Sequence, residues 1–189
     1  MSAHPKPEKR AGETRVTDNP PSDFARALIT DGPTTKYPAR MRRFGKLIGT
    51  WDARGRSLDE ATGQWAERSF TWVVSFVLGG RAVQDVEVVP SAEDPSVSET
   101  VATALRVYDP VAGVVRVSFF SPAANQYANL VAIGWHKGIR QDGTQNDGRL
   151  IRWNFSEITR ESYTWDGWVS SDDAATWLHV GHVDGTRIA

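Results

Sequence analysis

Asp85 and Glu87 stand two residues apart in an otherwise mostly apolar run, Ala82-Val83-Gln84-Asp85-Val86-Glu87-Val88-Val89. On an extended strand that spacing puts both carboxylates on one face. Gly79-Gly80 just upstream marks a tight hairpin. A two-residue turn there pairs Phe76 with Val83, Val74 with Asp85 and Trp72 with Glu87. Beside Trp and Val, burial would raise a carboxyl pKa and make the group a usable acid or base. The competing arrangement turns this face outward and leaves both carboxylates solvated. His136 joins Asp85 and Glu87 as a candidate catalytic group, with Tyr108 and Arg152 as polar candidates for holding a ligand. A guanidinium at Arg152 could clamp a carboxylate or enolate, or simply pair with Glu157 or Asp166.

Other chemistries lack their residues. The chain has no cysteine, which excludes a disulfide framework, a thiol nucleophile, a zinc ribbon and iron–sulfur ligation. Its four histidines are His4, His136, His179 and His182. His179 and His182, three apart on a strand, are expected on opposite faces and unable to chelate one ion, so no metal site is expected. There is no G-x-S-x-G elbow, P-loop or Rossmann glycine pattern, and Lys137 is the only lysine after residue 46. No cofactor is expected.

The elements that must position these groups read as follows. Residues 1–22 are Pro-rich and polar and predict a disordered arm. Ser22-Asp23 caps a short helix to Leu28, and a second short helix spans Pro38 to Leu47, with Met41, Phe44 and Leu47 at helical spacing. Together these helices occupy 23–48. From Gly49 to the end at 189 the period becomes two, and about nine strands follow with short connections. The eighth and ninth flank Ser171-Asp172-Asp173-Ala174-Ala175, and Tyr127–Arg140 reads as one strand ending in a polar turn, Asp142 to Gly148. A meander this long removes its edges most simply by closing. The expected fold is all-β, a closed up-and-down antiparallel β-barrel with one or two short N-terminal helices.

The helical turn Arg43-Phe44-Gly45-Lys46-Leu47-Ile48 runs straight into Gly49-Thr50-Trp51. This resembles the G-x-W start of lipocalin-like (calycin) barrels, where the Trp plugs the closed end. Leu78-Gly79-Gly80-Arg81-Ala82-Val83, Leu105-Arg106-Val107-Tyr108-Asp109 and Ile151-Arg152-Trp153-Asn154-Phe155-Ser156-Glu157-Ile158-Thr159 extend the likeness to a bacterial family of lipocalin-like domains over about residues 40–185. The resemblance implies a C-terminal arginine across the Trp, and Arg187 has the position for it. Similarity to nitrobindin-like haem barrels would assign an axial ligand to His179 or His182. Ser170-x-Asp172-x-Ala174-x-Thr176-Trp177 resembles an Asp-box turn, read here as a hairpin staple.

Eight Trp, seven Phe and four Tyr supply rings for the interior. They either fill a solid core or line a cavity for one hydrophobic or aromatic guest. The ring and polar positions read as facing that guest are Trp72, Phe76, Tyr108, Phe119, Tyr127, Trp135, Arg152, Trp153 and Trp165. The functions in view are binding of a small hydrophobic molecule, a cofactor-independent cyclase or isomerase, and an interaction protein with a filled core. Net charge is −1, which gives no field for nucleic acid or an anionic membrane. Residues 1–48 hold ten basic and five acidic groups against twelve and eighteen in the remainder, so the basic arm could also fold onto an acidic surface of its own or of a partner. A homodimer is left open. The N-terminus has no apolar signal segment, so a cytoplasmic location is expected.

Overall fold

The structure is a computed structural model that describes residues 22–189. The expected disordered arm and His4 lie outside the described residues. Helix α1 spans Asp23–Leu28, with the Ser22 hydroxyl accepting from the Ala25 amide at 3.2 Å. None of its residues is buried, and Phe24 is exposed. A two-residue strand β1 (Ile29–Thr30) follows, then α2 (Pro38–Gly45), whose N-terminal Pro needs no amide partner.

Ten longer strands complete the chain: β2 (Gly49–Asp59), β3 (Gln64–Val77), β4 (Ala82–Pro90), β5 (Ser98–Asp109), β6 (Val114–Ser121), β7 (Gln126–Trp135), β8 (Gly138–Gln145), β9 (Leu150–Ser156), β10 (Ser162–Ser170) and β11 (Leu178–Arg187). Each pairs antiparallel with its sequence neighbour, and β11 pairs with β2, closing the sheet into an up-and-down barrel. Strand β1 adds to β3 at the closed end. The expected closed barrel is what forms, with one strand more than the nine read from the pattern. Tyr127–Arg140 is not continuous. It breaks at His136-Lys137 into β7 and β8, with His136 at φ 47°. The region from Asp142 that read as a turn belongs largely to β8.

Strand direction sorts the loops into two ends. The turns after β2, β4, β6, β8 and β10 share one end, and α2 lies at the other. Met41, Phe44 and Leu47 insert there beneath Trp51, all almost fully buried. Trp51 donates its indole N–H to the Leu47 carbonyl at 2.8 Å. Arg187 pairs with Trp51 across β11 and β2, with its guanidinium 4.0 Å from the ring centre. It donates onward to the carbonyls of Ile48 (2.6 Å) and Lys46 (3.0 Å). This end is sealed by residues that the G-x-W likeness pointed to.

The β3–β4 hairpin sets the register expected for it. Trp72 lies opposite Glu87, Val74 opposite Asp85 and Phe76 opposite Val83. The loop itself is four residues long, Leu78 to Arg81, and Leu78, Gly79 and Gly80 all take left-handed φ. At Gly80 a Cβ would stand 2.2 Å from the Gly32 carbonyl oxygen, so the loop can lie against 32–34 only with glycine there. The staple also forms: the Asp172 carboxylate accepts from the Thr176 amide (2.9 Å) and hydroxyl (2.6 Å), and Ser170 Oγ accepts from the Ala174 amide (3.0 Å).

The face of β7 is opposite to expectation. Ala128, Leu130 and Ala132 point inward and are buried, while Tyr127, Val131, Ile133 and Trp135 are exposed outside. On the inner side of β7, Ala128 lies opposite Phe119 of β6 and Leu130 opposite Val117.

A β-bulge overturns the opposite-face expectation for the two C-terminal histidines. Register shifts between Gly167 and Trp168, where Gly181 faces Gly167 but His179 already faces Trp168. One extra residue, Val180, brings His179 and His182 onto the same outer face. Both contact the Asp166 carboxylate, His179 Nε2 at 3.0 Å and His182 Nδ1 at 2.8 Å, and His182 Nε2 lies 3.4 Å from Asp184. The hydrogen bond that Asp166 accepts is the largest cause that raises the His182 pKa above its usual value, with burial opposing it. A raised folded pKa gives stability that is complete below the unfolded value and lost as pH rises through the folded one. Thermal melts of the native chain should therefore show a decline in Tm from about pH 6 upward that His182→Gln removes. Identical slopes in the two proteins would rule out this coupling.

Candidate functional site

Ten strands enclose more space than the eight that side chains just fill. The half of the barrel away from α2 holds a cavity of about 730 Å³, open toward the loop end. That size falls within the roughly 300–1,000 Å³ of small-molecule sites. Small inward residues help to leave it empty: Ala102 lies opposite Glu87, and Ala104 stands between Asp85 and Phe119. The solid-core alternative is thereby overturned.

Aromatic rings form one wall. Phe119 meets Trp153 edge-on at 5.1 Å, and Trp153 meets Trp165 at 5.9 Å. Trp72 stacks on Phe155 at 5.6 Å and meets Tyr163 at 5.1 Å. Trp165 needs the two glycines beneath it, since a Cβ on Gly167 or Gly181 would come within 2.7 or 2.9 Å of its ring. The bulge on β11 and this platform are the same local feature.

Facing the rings is a polar row contributed by β3, β4 and β5. Arg68 donates to Glu87 Oε2 at 2.8 Å. Arg106 is ion-paired with Asp85, and both side chains are almost fully buried. Asp85 also accepts from the Ala104 amide at 3.2 Å, and Arg106 Nε points to Gln141 Oε1 at 3.4 Å. Burial pushes the Glu87 carboxyl pKa upward. Arg68 opposes that shift, and the neighbouring Asp85 adds to it. Burial likewise raises the Tyr163 phenol, reinforced by Glu87 and Asp85. At the mouth, Arg149 forks onto both oxygens of Glu60, at 2.5 and 3.0 Å, and ties the β2–β3 turn to β9.

The expected site residues divide sharply. Asp85, Glu87, Trp72, Phe119, Trp153 and Trp165 all line the cavity. The carboxylates occupy the buried face, so the solvated alternative is overturned for them. Phe76 and Tyr108 belong to the closed end. Phe76 is buried in the core there and Tyr108 meets Tyr37 at 5.2 Å. Tyr127 and Trp135 are outside because β7 faces the other way. His136 is in the exposed β7–β8 turn, where its carbonyl accepts from Arg43 at 3.0 Å, and it has no place at the cavity. Arg152 is also outside. It pairs with Asp142 at 2.7 Å and covers Trp177 at 4.0 Å, not with Glu157 or Asp166. The rings of His179 and His182 are engaged on the outer wall, so neither can be an axial ligand inside the barrel and the haem reading does not fit. No cluster of three or more His, Cys, Asp or Glu suited to a metal occurs among the described residues.

Sequence reasoning missed Arg68 and Arg106. Arginine in a strand is ordinarily assigned to solvent. A signal existed in parity, because Arg106 shares its face with Ala102 and Ala104 and so faces inward if they do.

No family model and no curated protein matches the chain. Among solved structures, the S-type phycobiliprotein lyase CPES from Guillardia theta is similar in fold, with a TM-score of 0.53 at 8% identity, over 77% of this chain and 90% of that one. The chain is a ten-strand antiparallel barrel similar in fold to that lyase.

Proposed function

We propose that this barrel binds one small hydrophobic or aromatic molecule in its open cavity. The observation that carries the reading is the cavity itself: about 730 Å³ between Trp72, Phe119, Trp153, Phe155 and Trp165, inside a barrel whose other end is sealed. A wall of rings supplies apolar area and stacking surface, and a few convergent polar groups supply orientation. The reading requires no cofactor.

Tryptophan fluorescence tests it directly, since four of the lining rings, Trp72, Trp153, Trp165 and Trp168, are indoles. Titration with the neutral probe N-phenyl-1-naphthylamine should give a saturable change. Ser121→Phe should weaken it by narrowing the cavity from β6, where Ser121 lines the wall. A flat response across a varied panel of apolar and aromatic molecules would count decisively against binding.

A second reading is favoured by one observation. Glu87 is a half-buried carboxyl that opens onto the same cavity, and desolvation pushes its pKa upward. That is the arrangement a cofactor-independent cyclase or isomerase uses for proton transfer on a folded substrate. Turnover abolished by Glu87→Gln, with guest binding retained, would separate the enzyme from a carrier.

A further inference from the structure

The polar row holds unspent donors. Arg106 commits Nη1 to Asp85 and Nε to Gln141, but Nη2 has no partner among the described residues and is not one of the sealed-off polar atoms. Arg68 commits Nη2 to Glu87 and leaves Nε and Nη1 without an acceptor among the described residues. Both arginines line the cavity. Against them, Glu87 Oε1 is the one carboxylate oxygen of the row without a partner among the described residues.

The charge balance of the row depends on one proton. The groups facing Glu87 are Arg68 from β3, Asp85 on its own strand, Arg106 from β5 and Tyr163 from β10. The guanidinium groups stay charged at any ordinary pH. Arg106 and Asp85 form one ion pair, so an ionised Glu87 beside Arg68 makes the row neutral, and a protonated Glu87 leaves it one positive charge in excess. A single anionic group restores neutrality in a place where unpaired charge is expensive.

We infer that the guest is an acid, a hydrophobic or aromatic molecule whose carboxylate, enolate or phenolate docks on Arg68 and Arg106 while Glu87 takes up one proton from solvent. No bond of the guest is made or broken. The proton moves from water to Glu87, and the anion replaces the Glu87 carboxylate as the partner of Arg68. The direction of the Glu87 shift supports this, because burial already favours its neutral form. An amine guest is disfavoured, since most of the free polar capacity belongs to cations. The inference rests on the cavity-binding reading and adds to it the chemistry of the guest.

The test uses an isosteric pair, 2-naphthoate and neutral 2-naphthamide, titrated calorimetrically into the full chain between about pH 5.5 and 8.5, where the naphthoate stays ionised. Naphthoate should bind at least about tenfold tighter than the amide at the acid end. Above the Glu87 pKa its affinity should fall by up to about tenfold per pH unit, as expected for linkage to one proton. Glu87→Gln should flatten that pH profile while retaining tight naphthoate binding. Arg68→Met should weaken naphthoate about tenfold or more and leave the amide unchanged, which also shows that the variant is folded. Equal binding of the two ligands, or a pH-independent naphthoate affinity in the native chain, overturns the acid inference and leaves the cavity reading standing. Binding of neither overturns both.

Discussion

Arg106→Met is expected to lower the free energy of unfolding by about 3–5 kcal/mol, the usual cost of removing one partner of a buried ion pair. Arg106 and Asp85 are 5% and 3% exposed at their side chains, so the carboxylate left behind would be largely desolvated. Asp85 would keep only the Ala104 amide. Gln141 would suffer as well: it is fully buried, its Nε2 has no partner among the described residues, and Arg106 is the donor to its oxygen. Because a domain commonly has only about 5–15 kcal/mol in hand, the single variant should unfold at markedly lower urea. The double variant Asp85→Leu with Arg106→Met should recover most of the loss, since exchanging a whole buried pair for apolar groups is often close to neutral. A single-variant cost under about 1 kcal/mol would mean that water already penetrates the row as it does at a surface pair.

The same pair shows how far a sequence can be read. Strand periodicity and turn residues suffice for the barrel, because closure follows from short connections and the need to hide edges. Gly79-Gly80 pins the β3–β4 register, and so places the two carboxylates beside Val74 and Trp72. Where a turn lacks glycine, proline or asparagine, the pattern runs on. His136 adopts a left-handed φ with an ordinary side chain, and the β7–β8 hairpin therefore reads as a single strand.

Sidedness is the harder problem. Strand β7 is apolar on both faces, with Ala128, Leu130 and Ala132 on one and Tyr127, Val131, Ile133 and Trp135 on the other. Counting hydrophobicity favours the larger set as the interior, but the smaller set is the one that faces inward, with Ala128 beside Phe119. The bulge at Val180 has the same character. Its trace in the sequence is a pair of strand glycines, Gly167 and Gly181, which signal a bulge or a close approach without saying which. Here they serve both, and the face of His179 depends on that one extra residue.

The sharpest check of sidedness compares two tryptophans. Trp51→Ala is expected to cost about 3–5 kcal/mol, and Trp135→Ala less than about 0.5 kcal/mol. Trp51 is inaccessible to solvent, and it joins three parts of the closed end. Its indole N–H reaches back to Leu47, its edge meets Tyr163 at 5.1 Å, and Arg187 lies over its face. Truncation leaves a ring-sized void where α2 plugs the barrel, and the rigid strands on either side can collapse only partly into it. It also removes the ring beneath Arg187, whose remaining bonds go to backbone carbonyls of Ile48, Lys46 and Arg160. Trp135, by contrast, is 44% exposed on the outer wall, meets His136 edge-on and lies under the Arg140 guanidinium. Urea unfolding of the two variants measures the difference directly. Comparable losses would mean that β7 turns its large side chains inward after all, and the cavity wall would have to be redrawn around them.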